Sequence, residues 1–370
     1  MQTLQPENFY LVEALFQGMS DHLAVPAVLS CTTPGEVFVD DGRAPRCALM
    51  RVHHRFYLAG SPDLTAFNRS LHHLFVEKIY PQAGGEGGFT FYFDGGWADP
   101  VAKSILAGFD PIFDQRKYYR LQLDHPSLHY EVLQPPEGFT LREVDRDLLE
   151  DKTLGNLDEL LEEIVSERAS IAEFLERSFG TVLLHEHQVA GWCLSEYNLG
   201  ERCEVGIATA DEYHRRGLAT IMGYTFHKQA FQRGIRMVGW HCRGSNKASS
   251  GTAIKLGYQP VKEYPSYFAL YDAAANLALH GDILLDQANY EEALPWLERS
   301  IQTGSAPIWA YIDAAIACVG MTREAAAFDF LKTSIALGFD NLKWLQANPQ
   351  FKCLQDLPEW NAMVVKVSGQ

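Results

Sequence analysis

The spacing of apolar residues divides the chain into a region of mixed strands and helices and a later region of helices alone. From Phe139 to Tyr271, short apolar runs such as RCEVGIAT and RMVGWHC alternate with segments whose apolar residues recur three and four positions apart. Such alternation predicts strands and amphipathic helices in turn. From Asp272 onward the helical spacing dominates. The pattern predicts an α/β region with a mixed sheet, followed by an all-α region.

Turn residues and helix ends give the α/β region the predicted order βααβββαβαβ. The segment TVLLHEHQVAGWCLSEYN predicts a hairpin around His187 and Gln188. An acidic segment before it predicts one or two amphipathic helices. The segment RRGLATIMGYTFHKQAFQRG predicts a helix ending at Gly234, because glycine commonly follows the last helical residue. Another helix closes at Gly257, and QPVKEYPSYFALY predicts a final hairpin or bent strand.

In the helical region, the segment LALHGDILLDQANYEEALPWLERSI resembles the tetratricopeptide repeat. Large, small, large, aromatic, small and large residues take the repeat positions: Leu277, Gly281, Leu284, Tyr290, Ala293 and Leu297. A small residue on one helix lets the partner helix approach closely. A looser unit runs from Pro307 to about Leu337. We expect a short helical array that covers apolar surface, binds a protein partner or forms a homodimer.

Length, charge and cysteine usage narrow the class of protein. The 370 residues fit two or three domains. The net charge of −16 argues against a nucleic-acid partner and is compatible with a cationic substrate. Without a long apolar run or a targeting pattern, we expect no membrane span and a cytoplasmic location. The seven cysteines are widely spread and form no Cys-x-x-Cys pair, which indicates reduced thiols, and no metal site is predicted.

The segment TADEYHRRGLATIM has the composition of an anion site. A strand that leads into a helix through Arg-Arg-Gly-x-Ala presents free backbone amides at the helix N-terminus, and such amides bind phosphate groups. Gly217 permits close approach of a ligand because it lacks a Cβ. Arg215 and Arg216 add positive charge. The alternative is an ordinary exposed helix start.

Two segments together resemble the GCN5-related N-acetyltransferases. EVGIATADEYHRRGLAT is similar to their motif A, although His214 stands where the family has Gln or Arg, and CRGSNKASSGTAIKLGYQPV is similar to motif B. The resemblance implies that the strand before the loop splays from its neighbour and pairs with the pantetheine arm of acetyl-CoA. It implies these cofactor-binding residues: Ile207, Ala208, Thr209, His214, Arg215, Arg216, Gly217, Leu218, Ala219, Thr220, Asn246 and Ser249. Asn246 or Ser245 is alternatively a helix N-cap.

Acetyl transfer to an amine requires a base, and two glutamates are candidates. The resemblance favours Glu204, at the start of the strand EVGIAT, and places Glu196 on the preceding strand second. The alternative for both is an exposed carboxylate at a strand end. The tyrosine that many family members use as a general acid is replaced by Ala253, which leaves the acid unassigned. No cysteine lies in a Cys-His setting, so direct attack by the amine is expected.

The first half of the chain repeats part of the second. AKSILAGFDPIFDQRKYYRL parallels GTAIKLGYQPVKEYPSYFAL at identical spacing, but SPDLTAFNRSLHHLFVEKIY lacks the glycines of the phosphate loop. The first half therefore resembles an acetyltransferase fold without a cofactor site, as in tandem enzymes of the zwittermicin A N-acetyltransferase type. That resemblance implies a cationic acceptor. Residues 143–176 carry twelve Asp or Glu against three Lys or Arg. These carboxylates would attract a cationic acceptor. The alternative is that they form the solvated face of a helix pair.

Together these patterns predict three domains. Residues 1–137 form a degenerate acetyltransferase fold, 138–271 the catalytic one, and 272–370 a tetratricopeptide-like helical domain. The predicted function is transfer of an acetyl group from acetyl-CoA to a primary amine of a small, cationic molecule such as an antibiotic or polyamine, as in self-resistance. The alternatives are a protein N-acetyltransferase that recruits its substrate through the helical domain, and a non-catalytic sensor of acetyl-CoA.

Overall fold

The computed structural model describes residues 1–124 and 133–368, which fall into two compact units. The first unit comprises Met1–His72, Thr90–Ile105 and Phe113–Phe268. The second comprises His73–Phe89, Leu106–Ile112 and the chain from Ala269. The predicted domain boundaries after residues 137 and 271 stay predictions.

Twelve strands form one mixed sheet in the described part of the chain. The strands are β1 (Gln2–Leu4), β2 (Glu36–Val39), β3 (Cys47–Val52), β4 (Arg55–Gly60), β5 (Gly88–Phe93), β6 (Ile112–Gln122), β7 (Phe139–Glu143), β8 (Gly180–His185), β9 (Gln188–Leu199), β10 (Arg202–Thr209), β11 (Met237–Arg243) and β12 (Gln259–Leu270). Their order in the sheet is β1-β2-β3-β4-β5-β12-β6-β11-β10-β9-β8-β7. The predicted mixed sheet is thereby confirmed.

Nine α-helices precede the C-terminal helical region in the described residues. They are α1 (Ala24–Leu29), α2 (Thr65–Leu74), α3 (Tyr80–Gln82), α4 (Ala98–Pro100), α5 (Arg146–Leu149), α6 (Leu157–Glu167), α7 (Ile171–Arg177), α8 (Leu218–Gln232) and α9 (Lys247–Lys255). Single turns of other helix types connect several of them. Two of these are π-helical, Phe75–Ile79 and Val101–Ile105.

Strands β1–β5 and β7–β11 have the same arrangement. In each set three antiparallel pairings are followed by a parallel one, β4 with β5 and β10 with β11. The strand that follows each set is exchanged between them. β6 pairs antiparallel with β11 of the second set, and β12 lies between β5 and β6. This exchange joins both sets into one continuous sheet.

The acidic segment before β8 forms three helices, where one or two were predicted. Each has its own N-terminal residue outside the helical conformation. Asp145 accepts the amide of Leu148, Ser170 accepts that of Glu173, and Asn156 is left-handed. Capping side chains favour helix starts, so the segment is divided. The hairpin is confirmed, but its turn lies at Glu186 and His187, both with positive φ, because Gln188 already belongs to β9.

The final strand of the sheet takes the single-strand alternative of its prediction. Residues of QPVKEYPSYFALY form the single strand β12 rather than a hairpin. It lies between β5 and β6, and hydrogen bonding to strands on both sides favours one continuous extended conformation.

Helices cover both faces of the second strand set. One apolar cluster packs α8 and α9 on one face, through residues such as Val205, Met222, Phe226 and Trp240. Another packs the segment with α5, α6 and α7 on the opposite face, through Leu160, Phe174 and Trp192. Successive side chains along a strand point to opposite faces of the sheet. A residue in one of these clusters therefore has neighbours along the strand whose side chains point to the other face.

The second compact unit contains the C-terminal helices α10 (Ala273–Asp286), α11 (Tyr290–Gln302), α12 (Ile308–Gly320), α13 (Glu324–Ala336), α14 (Leu342–Ala347) and α15 (Pro358–Ser368). The predicted helical region is confirmed. A Cβ on Gly281 would collide with Leu297, and one on Gly320 with Tyr290, so these glycines allow close helix packing. The likeness to tetratricopeptide repeats stays a prediction.

Cysteine exposure and helix hydropathy add two observations. Cys31 and Cys353 are exposed, whereas the other five cysteines are buried. Over the described ranges, no helix combines the length and apolar character needed to cross a membrane.

Candidate functional site

Strands β10 and β11 separate partway along their length. They pair in parallel from Arg202 opposite Met237 to Val205 opposite Trp240. β10 then continues to Thr209. Beyond Val205, its pairing within the described residues is with β9 alone. Backbone groups at a strand edge can pair with an added extended chain. The separation therefore opens a gap of the kind predicted for the strand before the loop.

The loop after β10 has the backbone of an anion site. Gly217 directly precedes α8 with φ of 76°, and Arg215 has φ of 61°. A Cβ at Gly217 would meet nothing within 4 Å, and no side chain caps the helix. The first amides of a helix lack intrahelical partners and can bind an anion. The Thr220 amide is the exception here, because it donates to the Gly217 carbonyl at 3.1 Å. The helix begins at Leu218, three residues later than the segment beginning at Arg215 predicted, because Arg215 and Gly217 are left-handed.

The other loop residues surround these amides. Arg215 and Arg216 are exposed, and the Arg216 guanidinium lies 5.5 Å from the centre of the Tyr213 ring. His214 is exposed too, and its Nε2 donates to the carbonyl of Thr209 at 2.8 Å. Leu218 and Thr220 are buried, which anchors the start of α8.

Asn246 is the N-cap of α9. Its Oδ1 accepts the amide of Ser249 at 2.8 Å, so Asn246 rather than Ser245 takes this role. Ser249 Oγ in turn accepts a hydrogen bond from Trp240 Nε1 at 3.0 Å. On the same helix Ala253 is fully buried. The hydroxyls of Tyr258 and Tyr264, which lie nearby in the sequence, contact His227 and His241 respectively.

A cavity of about 250 Å³ lies at the gap between β10 and β11. It brings together the predicted residues Ile207, Asn246, Ser249 and Glu196, whereas the loop from His214 to Thr220 lies outside its lining. The full lining is Arg116, Glu163, Glu196, Val205, Gly206, Ile207, Trp240, His241, Cys242, Arg243, Asn246 and Ser249. Residues from both faces of the sheet contribute, so the cavity extends through the gap.

Glu196 lies against Gly206, the first residue of β10 beyond its recorded pairing with β11. A Cβ on Gly206 would collide with the Glu196 carboxylate. The other carboxylate oxygen, Oε2, is 3.1 Å from Nη2 of Arg55, which also pairs with Glu167. Burial raises the pKa of Glu196 to about 7, although Arg55 acts in the opposite direction. A carboxylate with this pKa can accept and release a proton near neutral pH.

Glu204 has a different environment. It lies at an irregularity in the pairing of β10 with β9, is 4% exposed, and accepts the backbone amide of Leu23. Nε2 of His241 lies 3.4 Å from its carboxylate. Burial would raise its pKa, but His241 and the Leu23 amide hold the pKa below its ordinary value. Glu204 lies outside the cavity lining and is suited to holding His241 and the segment before α1.

Three further charged residues reach this site, and sequence reasoning connected only one of them with the acceptor, Glu163, through the acidic residues 143–176. Arg55 comes from β4, Arg116 from β6 and Glu163 from α6. Burial raises the pKa of Glu163 to about 7, with Glu196 adding to the effect. Arg55 is the first residue of the strand RFYLAG, which is otherwise apolar or aromatic, whereas Arg116 stands between Gln115 and Lys117 in IFDQRKYYRL. The charge of Arg55 at the start of an apolar strand was an available signal, because a charge on such a strand needs a partner or a site. Arg116 gave no such signal, because its neighbours in the sequence are polar too.

The arrangement corresponds to known proteins at the level of family and fold. The model of the GNAT acetyltransferase family matches residues 13–267. An N-acetyltransferase of Bacillus subtilis, YdfB, described as uncharacterized, is 27% identical over 271 residues, which is 73% of this chain and 98% of YdfB.

Two solved structures are similar to this chain, the first of them with a TM-score above 0.5. The GCN5-related N-acetyltransferase-like protein of Streptococcus suis has a TM-score of 0.54 and 22% identity, covering 70% of this chain and 98% of that protein. A GCN5-related N-acetyltransferase of Sphaerobacter thermophilus has a TM-score of 0.48 and 14% identity, covering 73% and 95%.

Proposed function

The chain belongs to the GNAT acetyltransferase family, and from this we propose that it transfers the acetyl group of acetyl-CoA to a primary amine of a small molecule. The observation that carries the proposal is the position of Glu196. Its carboxylate, with a pKa of about 7, lies against Gly206 where β10 and β11 separate. A proton acceptor is thus placed in a cavity beside unpaired backbone.

The residues of the second strand set fit acetyl-CoA. Open space at Gly217 and uncapped amides at the start of α8 suit a pyrophosphate, with Arg215 and Arg216 beside them. Ile207, Ala208 and Thr209 suit an extended arm that pairs with the free edge of β10. Asn246 and Ser249 line the cavity next to that edge. When bound, acetyl-CoA supplies an activated thioester.

In the proposed reaction, Glu196 would remove a proton from the amine as its nitrogen bonds to the acetyl carbon. The carbon–sulfur bond would then break, and coenzyme A would leave as a thiolate that takes up a proton. The amine must be neutral when it attacks, so a base in the cavity accelerates the step. Arg55 orients the Glu196 carboxylate through their 3.1 Å contact. A backbone amide of β10 beyond Val205 is positioned to donate to the developing oxyanion, because this stretch is unpaired on the side of β11.

We also propose that the first strand set is a copy of the fold that binds no cofactor. Its support is the repeated order of β1–β5 and β7–β11. After β4, the chain enters α2 without an arginine- and glycine-rich turn like the one before α8. In this proposal the first half supplies Arg55 and Arg116 to the site.

Calorimetry with acetyl-CoA and a thiol-release assay test the function. We expect one acetyl-CoA to bind per chain and free thiol to appear with at least one amine of a panel of alkylamines, amino acids, polyamines and amine antibiotics. A chain that does not bind acetyl-CoA would contradict the proposal. Binding with acetylation of protein amines alone would favour the protein-directed alternative, and binding without any turnover would favour a sensor.

A further inference from the structure

Two arginines face each other on one side of the cavity. Arg116 of β6 is the register partner of Arg243 of β11, and both line the cavity. Directly opposite residues on neighbouring strands point to the same face of the sheet, and like charges there repel each other. The pair therefore destabilises the sheet unless a negative charge compensates it.

The protein compensates this pair only in part. Neither guanidinium forms an ion pair within the described portion of the chain, and Nε of Arg116 is buried there without a hydrogen-bond partner. Both guanidinium groups instead lie over aromatic rings, that of Arg243 3.9 Å from the centre of Phe268 and that of Arg116 5.8 Å from the centre of Tyr92. The neutral hydroxyl of Tyr264 is also hydrogen-bonded to Arg116. Asp114, two residues before Arg116 on β6, offsets some charge, but burial raises its carboxyl pKa. One Asp facing two Arg leaves an excess of positive charge.

The opposite side of the cavity is acidic. Glu196 lies on β9 and Glu163 on α6. In the sheet, β9 is separated from β6 by β10 and β11, so the backbones of β9 and β6 are on the order of 14 Å apart at the usual strand spacing. Side chains reach into the cavity from both sides. The cavity therefore has an acidic side and a basic side with the gap in β10–β11 between them.

We propose that the acceptor is a small amine that also carries a carboxylate or phosphate. This rests on the proposed function: the amine lies at Glu196, and the anionic group lies between Arg116 and Arg243. Guanidinium groups bind such planar or tetrahedral anions through paired hydrogen bonds. A polyamine would instead bring positive charge against two arginines. The charge pattern of the cavity thus favours an amino acid or amino phosphate over the cationic acceptor expected from residues 143–176.

Binding measurements separate this inference from catalysis. We would titrate coenzyme A-saturated protein with ω-amino carboxylates and ω-aminoalkyl phosphates of three to six carbons. Each would be compared with the alkylamine and the diamine of equal length. At least one anionic amine should bind about tenfold or more tightly than its matched alkylamine and diamine, because charge-assisted hydrogen bonds are strong. The carboxylate and phosphate series distinguish the two anion types.

Three variants assign the effect to the arginines. Arg116→Met and Arg243→Met should each remove the preference for the anionic amine, and Arg116→Lys should restore part of it. Lys117→Met is the matched control, because it removes a positive charge one residue along β6 where the side chain points to the other face. We expect this variant to keep the preference, and all variants to keep the acetyl-CoA affinity.

Three outcomes would overturn the inference. These are equal binding of anionic and plain amines, no binding of any anionic amine, and loss of acetyl-CoA affinity in both arginine-to-methionine variants, which would assign the pair to the coenzyme. Acetylation of plain amines or polyamines without a preference would leave the acetyltransferase function intact while removing this inference. Failure of the wild-type protein to bind acetyl-CoA would remove both.

Discussion

At the scale of single residues, environment distinguishes two carboxylates of the same chemistry. Glu204 accepts a backbone amide and faces His241, and these contacts hold its pKa below the ordinary value against the effect of burial. Glu196 has Arg55 as its partner, but burial raises the pKa of Glu196 to about 7. The first is suited to remaining charged, and the second to exchanging a proton.

The pH dependence of the rate tests the role of Glu196. A base with a pKa near 7 is protonated and inactive at pH 6 and ionised at pH 8, so kcat should rise across this range with a midpoint near 7. Glu196→Gln should lower kcat by about 10²- to 10⁴-fold and abolish the midpoint. The measurement is steady-state thiol release from pH 5.5 to 9.

Glu163 supplies the control, because its pKa is also raised to about 7. Glu163→Gln should keep a rise in kcat with pH, whereas Glu196→Gln should not. If the rise disappears in Glu163→Gln and persists in Glu196→Gln, Glu163 rather than Glu196 is the base.

Gly206 offers a test that leaves the carboxylate in place. The added methyl group of Gly206→Ala would occupy the position of the Glu196 carboxylate and displace it. We expect kcat to fall at least tenfold, since displacement of a base by about 1 Å can cost up to 10² in rate. Gly251→Ala in α9 is the control, because its Cβ meets nothing within 4 Å. Equal rates for the two variants would contradict the placement of Glu196.

At the scale of elements, the connection from β10 to α8 combines two local features. The chain leaves β10 at Thr209, turns through left-handed Arg215 and Gly217, and enters a helix without a side-chain cap. Amides without hydrogen-bond partners destabilise the start of the helix, and an anion that accepts their hydrogen bonds stabilises it. Both the turn and the amides are encoded locally, which is why the sequence predicts them.

A carboxylate placed at this helix start tests the anion site. Gly217→Glu should weaken acetyl-CoA binding at least 100-fold in calorimetry, because a side chain and a negative charge enter the space of a phosphate. Gly234→Glu is a matched control: this glycine also has positive φ and an open Cβ position, but it follows the C-terminal end of α8. Similar losses in both variants would point to destabilisation of α8 and contradict the anion site.

At the scale of the whole molecule, the exchange of β6 and β12 makes the two strand sets depend on each other. β11 pairs with β6 from the first half of the chain, and Arg55 and Leu23 from that half contact Glu196 and Glu204. A second half without these partners would have an exposed strand edge and two buried carboxylates without their donors. Such losses are among the most destabilising changes in proteins.

Separate expression of residues 1–137 and 138–370 tests this dependence. We expect neither fragment alone to bind acetyl-CoA or to unfold cooperatively, and a mixture of the two to recover binding. Circular dichroism melts and calorimetry are the measurements. A fragment 138–370 that folds and binds acetyl-CoA alone would show that the second strand set is an independent domain, as the sequence predicts.

How much the sequence determined depends on how local each feature is. The period of apolar residues and the glycine and arginines before α8 act within a few residues, so the sequence by itself determined the strands β7–β11 and the turn before α8. It left the cap of α9 open between Ser245 and Asn246, and the structure decided for Asn246. The exchange of β6 and β12, the meeting of Arg116 and Glu163 at one cavity, and the contact of Arg55 with Glu196 join residues far apart in the chain. Only the tertiary structure decided these, because backbone preferences act between neighbours, whereas strand pairing and charge compensation depend on the packing of the complete sheet.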